Sequence, residues 1–109
     1  MTKIVVGSTA LKHHGFPFRS PKDVDIWTDE EHEKQQGEDV SVLPSSILRL
    51  IPHENGYATP DAVYTIKLSH LGWNIFWDKH KRDVLWMEHN GCKRLPEIYS
   101  ALVEYWHRS

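Results

Sequence analysis

The sequence contains one cysteine and no long apolar run, and these two scarcities exclude several classes of protein. With Cys92 as the single thiol, the chain has no disulfide framework of its own, which fits a reducing compartment such as the cytosol. No stretch approaches the roughly 20 apolar residues of a transmembrane helix, and the N-terminus has no apolar signal segment. We therefore expect a soluble, cytoplasmic protein without a membrane partner.

Excess positive charge is also lacking. The formal net charge is −2, so no general cationic field draws the protein onto nucleic acid. A length of 109 residues fits a single domain over residues 1–109, and five tryptophans provide large pieces for its core. The composition is that of an ordinary globular protein rather than a disordered chain.

The first half of the chain has the short alternating segments that are typical of strands. Residues 4–6, 23–27 and 39–43 each predict a strand, and residues 45–51 fit either a strand or a short helix. Asn55-Gly56 predicts a turn. We expect residues 1–58 to form a small sheet of three to four strands.

Helical spacing and helix signals dominate the second half. Thr59 and Pro60 predict a helix start, and that helix should end near Leu71 because Gly72 follows. Two further helices are expected over residues 75–89 and from Pro96 onwards. Earlier in the chain, a short helix over residues 10–14 should be capped by Ser8 or Thr9 and ended by Gly15. The predicted fold class is α/β or α+β, with a helical half over residues 59–109.

Two aspartates on the second predicted strand suggest a metal site. Asp23 and Asp25 alternate, so both carboxylates project from the same face. Two close carboxylates repel each other unless a cation lies between them, and Mg²⁺ commonly binds one or two carboxylates together with substrate phosphates. Gly7 lets the backbone approach a phosphate, while Ser8 and the first N–H groups of the next helix provide donors.

These elements together resemble a known signature. A hydrophobic residue, then Gly7-Ser8, a short helix and the alternating acidic segment 23–26 resemble the motif of the DNA polymerase β-like nucleotidyltransferase superfamily. The resemblance covers about the first 45 residues. It implies a minimal single-domain member, similar to small phage-encoded or antitoxin-like proteins. It also implies Mg²⁺ (or Mn²⁺) as cofactor and a nucleoside triphosphate such as ATP as substrate.

In that superfamily a third acidic residue on the following strand completes the metal site. The resemblance assigns this place to Asp39, so that Asp23, Asp25 and Asp39 are the expected catalytic and metal-binding residues. If Ser41 is the structural equivalent instead, the set of three carboxylates is incomplete.

Basic residues of the helical half are candidates for contacts with the triphosphate. Lys67, His70 and Lys79 could reach the phosphates or the base. On the helix over residues 75–89, His80 and Asp83 interrupt an otherwise apolar face, and a buried histidine–aspartate pair is the purely structural interpretation.

Some of the aromatic residues are candidates for stacking on a nucleotide base. Trp27 alternates to the same face as the acids and is the aromatic residue most expected to line a pocket. Trp106 lies at core-like helical spacing, which favours packing.

The leading hypothesis is a metal-dependent nucleotidyltransferase that transfers a nucleoside monophosphate to an acceptor. The acceptor stays open between a protein hydroxyl, an RNA end and a small molecule. The main alternative is a catalytically silent nucleotidyltransferase fold that acts as a binding or inhibitory protein, and a homodimer is open in either case. A third alternative is a small α/β domain whose motif match is accidental.

Overall fold

The alternating segments of the first half form strands and the second half forms helices. The computed structural model describes residues 2–15, 24–30, 35–73 and 78–108. The strands are β1 (Lys3–Val6), β2 (Val24–Thr28), β3 (Glu38–Val42), β4 (His53–Glu54) and β5 (Tyr57–Ala58). The helices are α1 (Gly7–His13), α2 (Ser45–Leu48), α3 (Pro60–Trp73), α4 (Asp78–His89) and α5 (Pro96–Arg108). The expected α+β class is confirmed.

The five strands form one mixed sheet in the order β3-β2-β1-β5-β4. β1 is antiparallel to β2 and parallel to β5, while β2 and β3 run parallel to each other. The β2–β3 register pairs Asp25 with Asp39 and Trp27 with Ser41. Because side chains at paired positions of neighbouring strands point to the same face, this register determines which polar groups of the two strands meet.

One hydrophobic core joins the sheet to the helices. In β1, Ile4 and Val6 are buried whereas Lys3 is exposed, the alternation expected of a strand with one covered face. α1 packs on the sheet and against α3, and α3 also contacts α4 and α5. In the described residues no helix has the length and apolar character that crossing a membrane would require.

The start of α1 differs from the sequence prediction. The helix begins at Gly7, three residues before the expected start at Ala10, and Val6 is its N-cap residue. The prediction of a Ser8 or Thr9 cap is wrong, because no side-chain cap is made and both residues lie inside the helix. The chain turns directly from β1 into α1 at Gly7, whose φ of 71° lies in the region that glycine adopts readily.

The sheet has more strands than the three to four expected. The Asn55-Gly56 turn is confirmed, with φ values of 53° and 84°, the positive values that a type I′ hairpin turn requires. It joins β4 and β5, two-residue strands that are too short to produce a periodic signal in the sequence. Their place in the sheet comes from pairing, since Tyr57 of β5 lies opposite Val5 of β1.

The helix boundaries in the second half agree well with the signals in the sequence. Thr59 caps α3 through its Oγ1, which accepts a hydrogen bond from the Ala62 N–H at 3.3 Å, and Pro60 is the first helical residue. The expected end at Leu71 is wrong by two residues, because the helix continues through Gly72 to Trp73. The ambiguous segment 45–51 contains the short helix α2. The expected start of the next helix at residue 75 lies outside the described residues.

The Asp29 carboxylate links the N-terminus to the start of α2. Its Oδ1 accepts from the Thr2 N–H at 2.9 Å and its Oδ2 accepts from the Ser45 hydroxyl at 3.1 Å. The Thr2 bond is the main reason that the pKa of Asp29 lies below its ordinary value of 3.8, with the Ser45 bond acting in the same direction. A lowered pKa stabilises the fold above the unfolded-state value, and this contribution is lost as the pH falls through the folded-state value.

We therefore expect Asp29→Asn to reduce the acid sensitivity of the fold. Between about pH 6 and about pH 3, the free energy of unfolding should fall more in the wild type than in the variant. Urea denaturation at the two pH values measures this difference. Ser45→Ala removes the weaker donor only and should give an intermediate result. An acid sensitivity of Asp29→Asn equal to that of the wild type would contradict the assignment.

Candidate functional site

A cavity of about 240 Å³ opens between the sheet, α3 and α5. It is lined by residues from six elements and combines charged, polar and aromatic side chains. The lining residues are Val6, Gly7, Asp25, Trp27, Asp39, Ser41, Val63, Ile66, Lys67, His70 and Trp106. Five of the residues singled out in the sequence as site candidates therefore line one cavity: Gly7, Asp25, Asp39, Lys67 and His70.

Strand register brings two of the expected acids together. Asp25 on β2 is paired with Asp39 on β3 in a parallel register, and both line the cavity. Two residues further along, Trp27 is paired with Ser41, and these side chains line it as well. Asp39 and Ser41 thus share the cavity face of β3, and Asp39 is the one opposite Asp25.

Gly7 lies against the Asp25 carboxylate. A Cβ atom placed on Gly7 would be 2.5 Å from Oδ2 of Asp25, closer than non-bonded atoms can approach. The positive φ of this residue also disfavours any other side chain. Gly7 therefore allows the backbone at the β1–α1 junction and the Asp25 carboxylate to occupy neighbouring positions.

A buried ion pair involves one of the cavity-lining residues. Lys67 Nζ donates to Asp83 Oδ2 at 3.1 Å, which links α3 to α4. Both residues are about 5% exposed or less. Asp83 therefore pairs with a lysine, where the sequence suggested pairing with His80, whose side chain lies outside the described residues. His70 follows Lys67 by three residues, so both are on the same face of α3.

Aromatic rings complete the wall next to Lys67. The Trp106 ring centroid lies 6.2 Å from that of Trp27 in an edge-to-face arrangement and 5.2 Å from that of His70. Trp106 Nε1 donates to Ser69 Oγ at 3.1 Å, and this bond determines the orientation of the indole. The expectation that Trp106 packs against the core is confirmed, and it also lines the cavity. Trp27 lines the cavity as expected.

The remaining predicted site residues are Ser8, Asp23 and Lys79. Ser8 is buried, with 8% exposure, and is not one of the residues that line the cavity. Asp23 lies outside the described residues. Lys79 belongs to α4, and its side chain is also outside them. Within the described ranges, no group of three or more His, Cys, Asp or Glu side chains is arranged to hold a metal ion.

Comparison with known protein families places the chain in one of them. A family model described as a domain of unknown function, DUF7277, matches residues 3–92. The chain belongs to the DUF7277 family. No curated protein and no solved structure matches it. The DUF7277 match spans β1 to α4 and so includes every residue of the cavity except Trp106, which α5 contributes from beyond the match.

Two features of this DUF7277 site were missed by the sequence analysis. Trp106 was assigned to packing alone, and Asp83 was not connected with Lys67. Ser69 and Trp106 are 37 positions apart, and Lys67 and Asp83 are 16 apart. Neither spacing produces a local pattern, so the only signals were an unexplained polar residue on an apolar helix face and an aromatic residue near the chain end.

The Gly7 contact leads to a test of stability. Gly7→Ala should destabilise the fold by about 2–5 kcal/mol, of which roughly 1–2 kcal/mol is backbone strain and the rest is the clash with Asp25. Gly37→Ala is the matched control, because its φ is also positive, at 83°, but no described atom lies within 4 Å of the added Cβ. It should cost only the strain. Equal losses for the two variants in urea denaturation would show that the Asp25 contact is unimportant.

Proposed function

We propose that this protein binds a nucleoside triphosphate with a divalent cation in the described cavity and transfers its nucleoside monophosphate to an acceptor. The observation that supports the proposal most is the convergence of Gly7, Asp25, Asp39 and Lys67 on one cavity. These residues come from four separate elements, and the first three are residues that the sequence motif and its resemblance assign to one site. Carboxylates for a metal and a cation for phosphate are the groups that nucleotidyl transfer requires.

The residues suit a bound divalent cation. Asp25 and Asp39 are carboxylates at paired positions, and Mg²⁺ binds through one or two carboxylates plus substrate phosphates and waters. The missing side chain of Gly7 lets the Asp25 carboxylate lie directly against the backbone of the β1–α1 junction. When bound, the cation would act as a Lewis acid toward phosphate oxygens.

The other residues have roles that follow from their chemistry. The Gly7 backbone can approach a phosphate without a side chain intervening. The Lys67 ammonium attracts the negative charge of the phosphates, and the carboxylate nearest the acceptor can take up its proton. Pockets that enclose a whole ligand commonly measure about 300–1,000 Å³. The smaller cavity of about 240 Å³ suits the phosphate end of a nucleotide, with the remainder extending past its mouth.

A silent nucleotide-binding protein is the second candidate. Asp25 and Asp39, the two carboxylates that the described residues bring to the cavity, are sufficient for this role. Two carboxylates can hold a metal–triphosphate without aligning an acceptor for attack. The two candidates share the same site and differ in turnover.

Thermal unfolding with ligands tests the shared site. We expect ATP, GTP, CTP or UTP with Mg²⁺ to stabilise the protein, because a ligand at 100 times its dissociation constant adds about 2.7 kcal/mol. For a domain of this size that corresponds to roughly 10 °C in Tm. Asp25→Asn and Asp39→Asn should each abolish most of the shift. Glu38→Gln is the control, because Glu38 precedes Asp39 on β3 and does not line the cavity.

The outcomes separate the candidates. Absence of a Mg²⁺-dependent shift with all four nucleotides would reject both. A shift that survives Asp25→Asn and Asp39→Asn would place nucleotide binding elsewhere on the molecule. Labelled-nucleotide incorporation into protein or RNA acceptors then distinguishes the transferase from the silent fold, since only the transferase forms product.

A further inference from the structure

The buried Lys67–Asp83 pair assigns a role to a residue that does not touch the cavity. We propose that Asp83 is a positioning residue, which holds the Lys67 ammonium on the cavity wall as the cation that meets the polyphosphate end of the ligand. The inference rests on the proposed function and adds to it the residue on which phosphate recognition depends.

Lys67 and Asp83 have different positions relative to the cavity, which indicates different roles. Lys67 lines the cavity, whereas Asp83 does not and contacts Lys67 through Oδ2 at 3.1 Å. Their side chains are 7% and 5% exposed, so the pair lies almost entirely out of water. Its bond to Lys67 connects Asp83 to a residue of the cavity wall. We expect an effect of Asp83 on a bound ligand to be transmitted by Lys67.

The free-energy cost of burying two charges argues against stability as the purpose of this pair. Removing two charges from water is costly, and apolar residues of similar volume often stabilise a fold as well or better. α3 and α4 contact each other, and each also contributes apolar side chains to the common core, such as Val63 and Val84. A buried lysine without a compensating carboxylate would be driven toward its neutral form. Asp83 thus gives the buried Lys67 Nζ an anionic partner where water is almost excluded.

The position of the Lys67 ammonium matters for ligand binding, because this group shares the cavity with acidic side chains. Asp25 and Asp39 line it together with Lys67. A long lysine side chain has about 2 kcal/mol of rotamer entropy, and an anchored one does not have to be ordered again when a ligand arrives. The pair with Asp83 on α4 fixes the direction of the Lys67 side chain before binding. We infer that phosphate affinity depends on this anchoring as well as on the charge itself.

A double-mutant cycle tests the inference, with Mg²⁺–tripolyphosphate as the probe and calorimetric titration as the measurement. Lys67→Met and Asp83→Asn should each weaken binding about tenfold or more. The double variant should bind no more weakly than Lys67→Met alone, because Asp83 acts through Lys67. Mg²⁺ alone should bind all variants as it binds the wild type, which a general loss of structure would not allow.

Three outcomes would overturn the inference. Asp83→Asn could bind tripolyphosphate as the wild type does, or it could weaken binding further in the Lys67→Met background. If the wild type itself does not bind the probe, the proposed function fails together with the inference. Failure of the inference alone is recognised by wild-type binding that Asp83→Asn leaves unchanged.

A second variant provides the test if the Asp83→Asn protein does not fold. Asp83→Glu keeps the charge and moves the carboxylate by one methylene, so it preserves charge balance and changes the anchor point. We expect several-fold weaker tripolyphosphate binding with unchanged Mg²⁺ binding. Wild-type affinity in Asp83→Glu would show that the precise position of Lys67 is unimportant and would overturn the inference.

Discussion

The positions of the other cavity residues depend on the junction between β1 and α1. Gly7 takes a left-handed backbone conformation there, and its Cα lies against the Asp25 carboxylate on the neighbouring strand. The turn allows the chain to enter α1 without a loop, which places α1 on the sheet and against α3. Through α3, the same turn determines where Lys67 and His70 lie relative to the acids.

The cavity has an acidic side and a basic side. The acidic side is formed by Asp25 and Asp39 on paired strands, and the basic side is formed by Lys67 on α3. Behind Lys67, Asp83 compensates the buried ammonium. Buried charges are tolerated when they are paired, so the ion pair allows a cation in an otherwise apolar wall that includes Val63 and Ile66.

Helix α3 connects the structural and the chemical parts of this DUF7277 protein. Its residues enter the common core and also line the cavity, and it contacts α1, α4 and α5. α5 contributes Trp106, which Ser69 of α3 orients through a hydrogen bond. A site assembled from so many elements depends on the whole fold, and we expect changes in helix packing to alter it without touching a polar residue.

The sequence by itself determined the local features. β-branched alternation predicted β1, β2 and β3, the Thr59-Pro60 signal predicted the start of α3, and the Asn55-Gly56 turn was evident. These features follow from interactions between residues near each other in the chain, which leave periodic or capping patterns. Local alternation and the glycine turn also singled out Asp25 and Gly7, whereas Asp39 was added by the resemblance to the nucleotidyltransferase superfamily. Local reasoning failed at the N-cap of α1, because the helix begins at Gly7 and so includes Ser8.

Only the tertiary structure decided how these parts meet. The parallel register that pairs Asp25 with Asp39, the Lys67–Asp83 ion pair and the orientation of Trp106 all depend on contacts between separate elements. Such contacts leave no periodic pattern in the sequence, because their partners lie far apart in the chain. For this reason the sequence predicted the acids and the fold class, whereas the cation opposite them acquired its partner and its direction only in the folded chain.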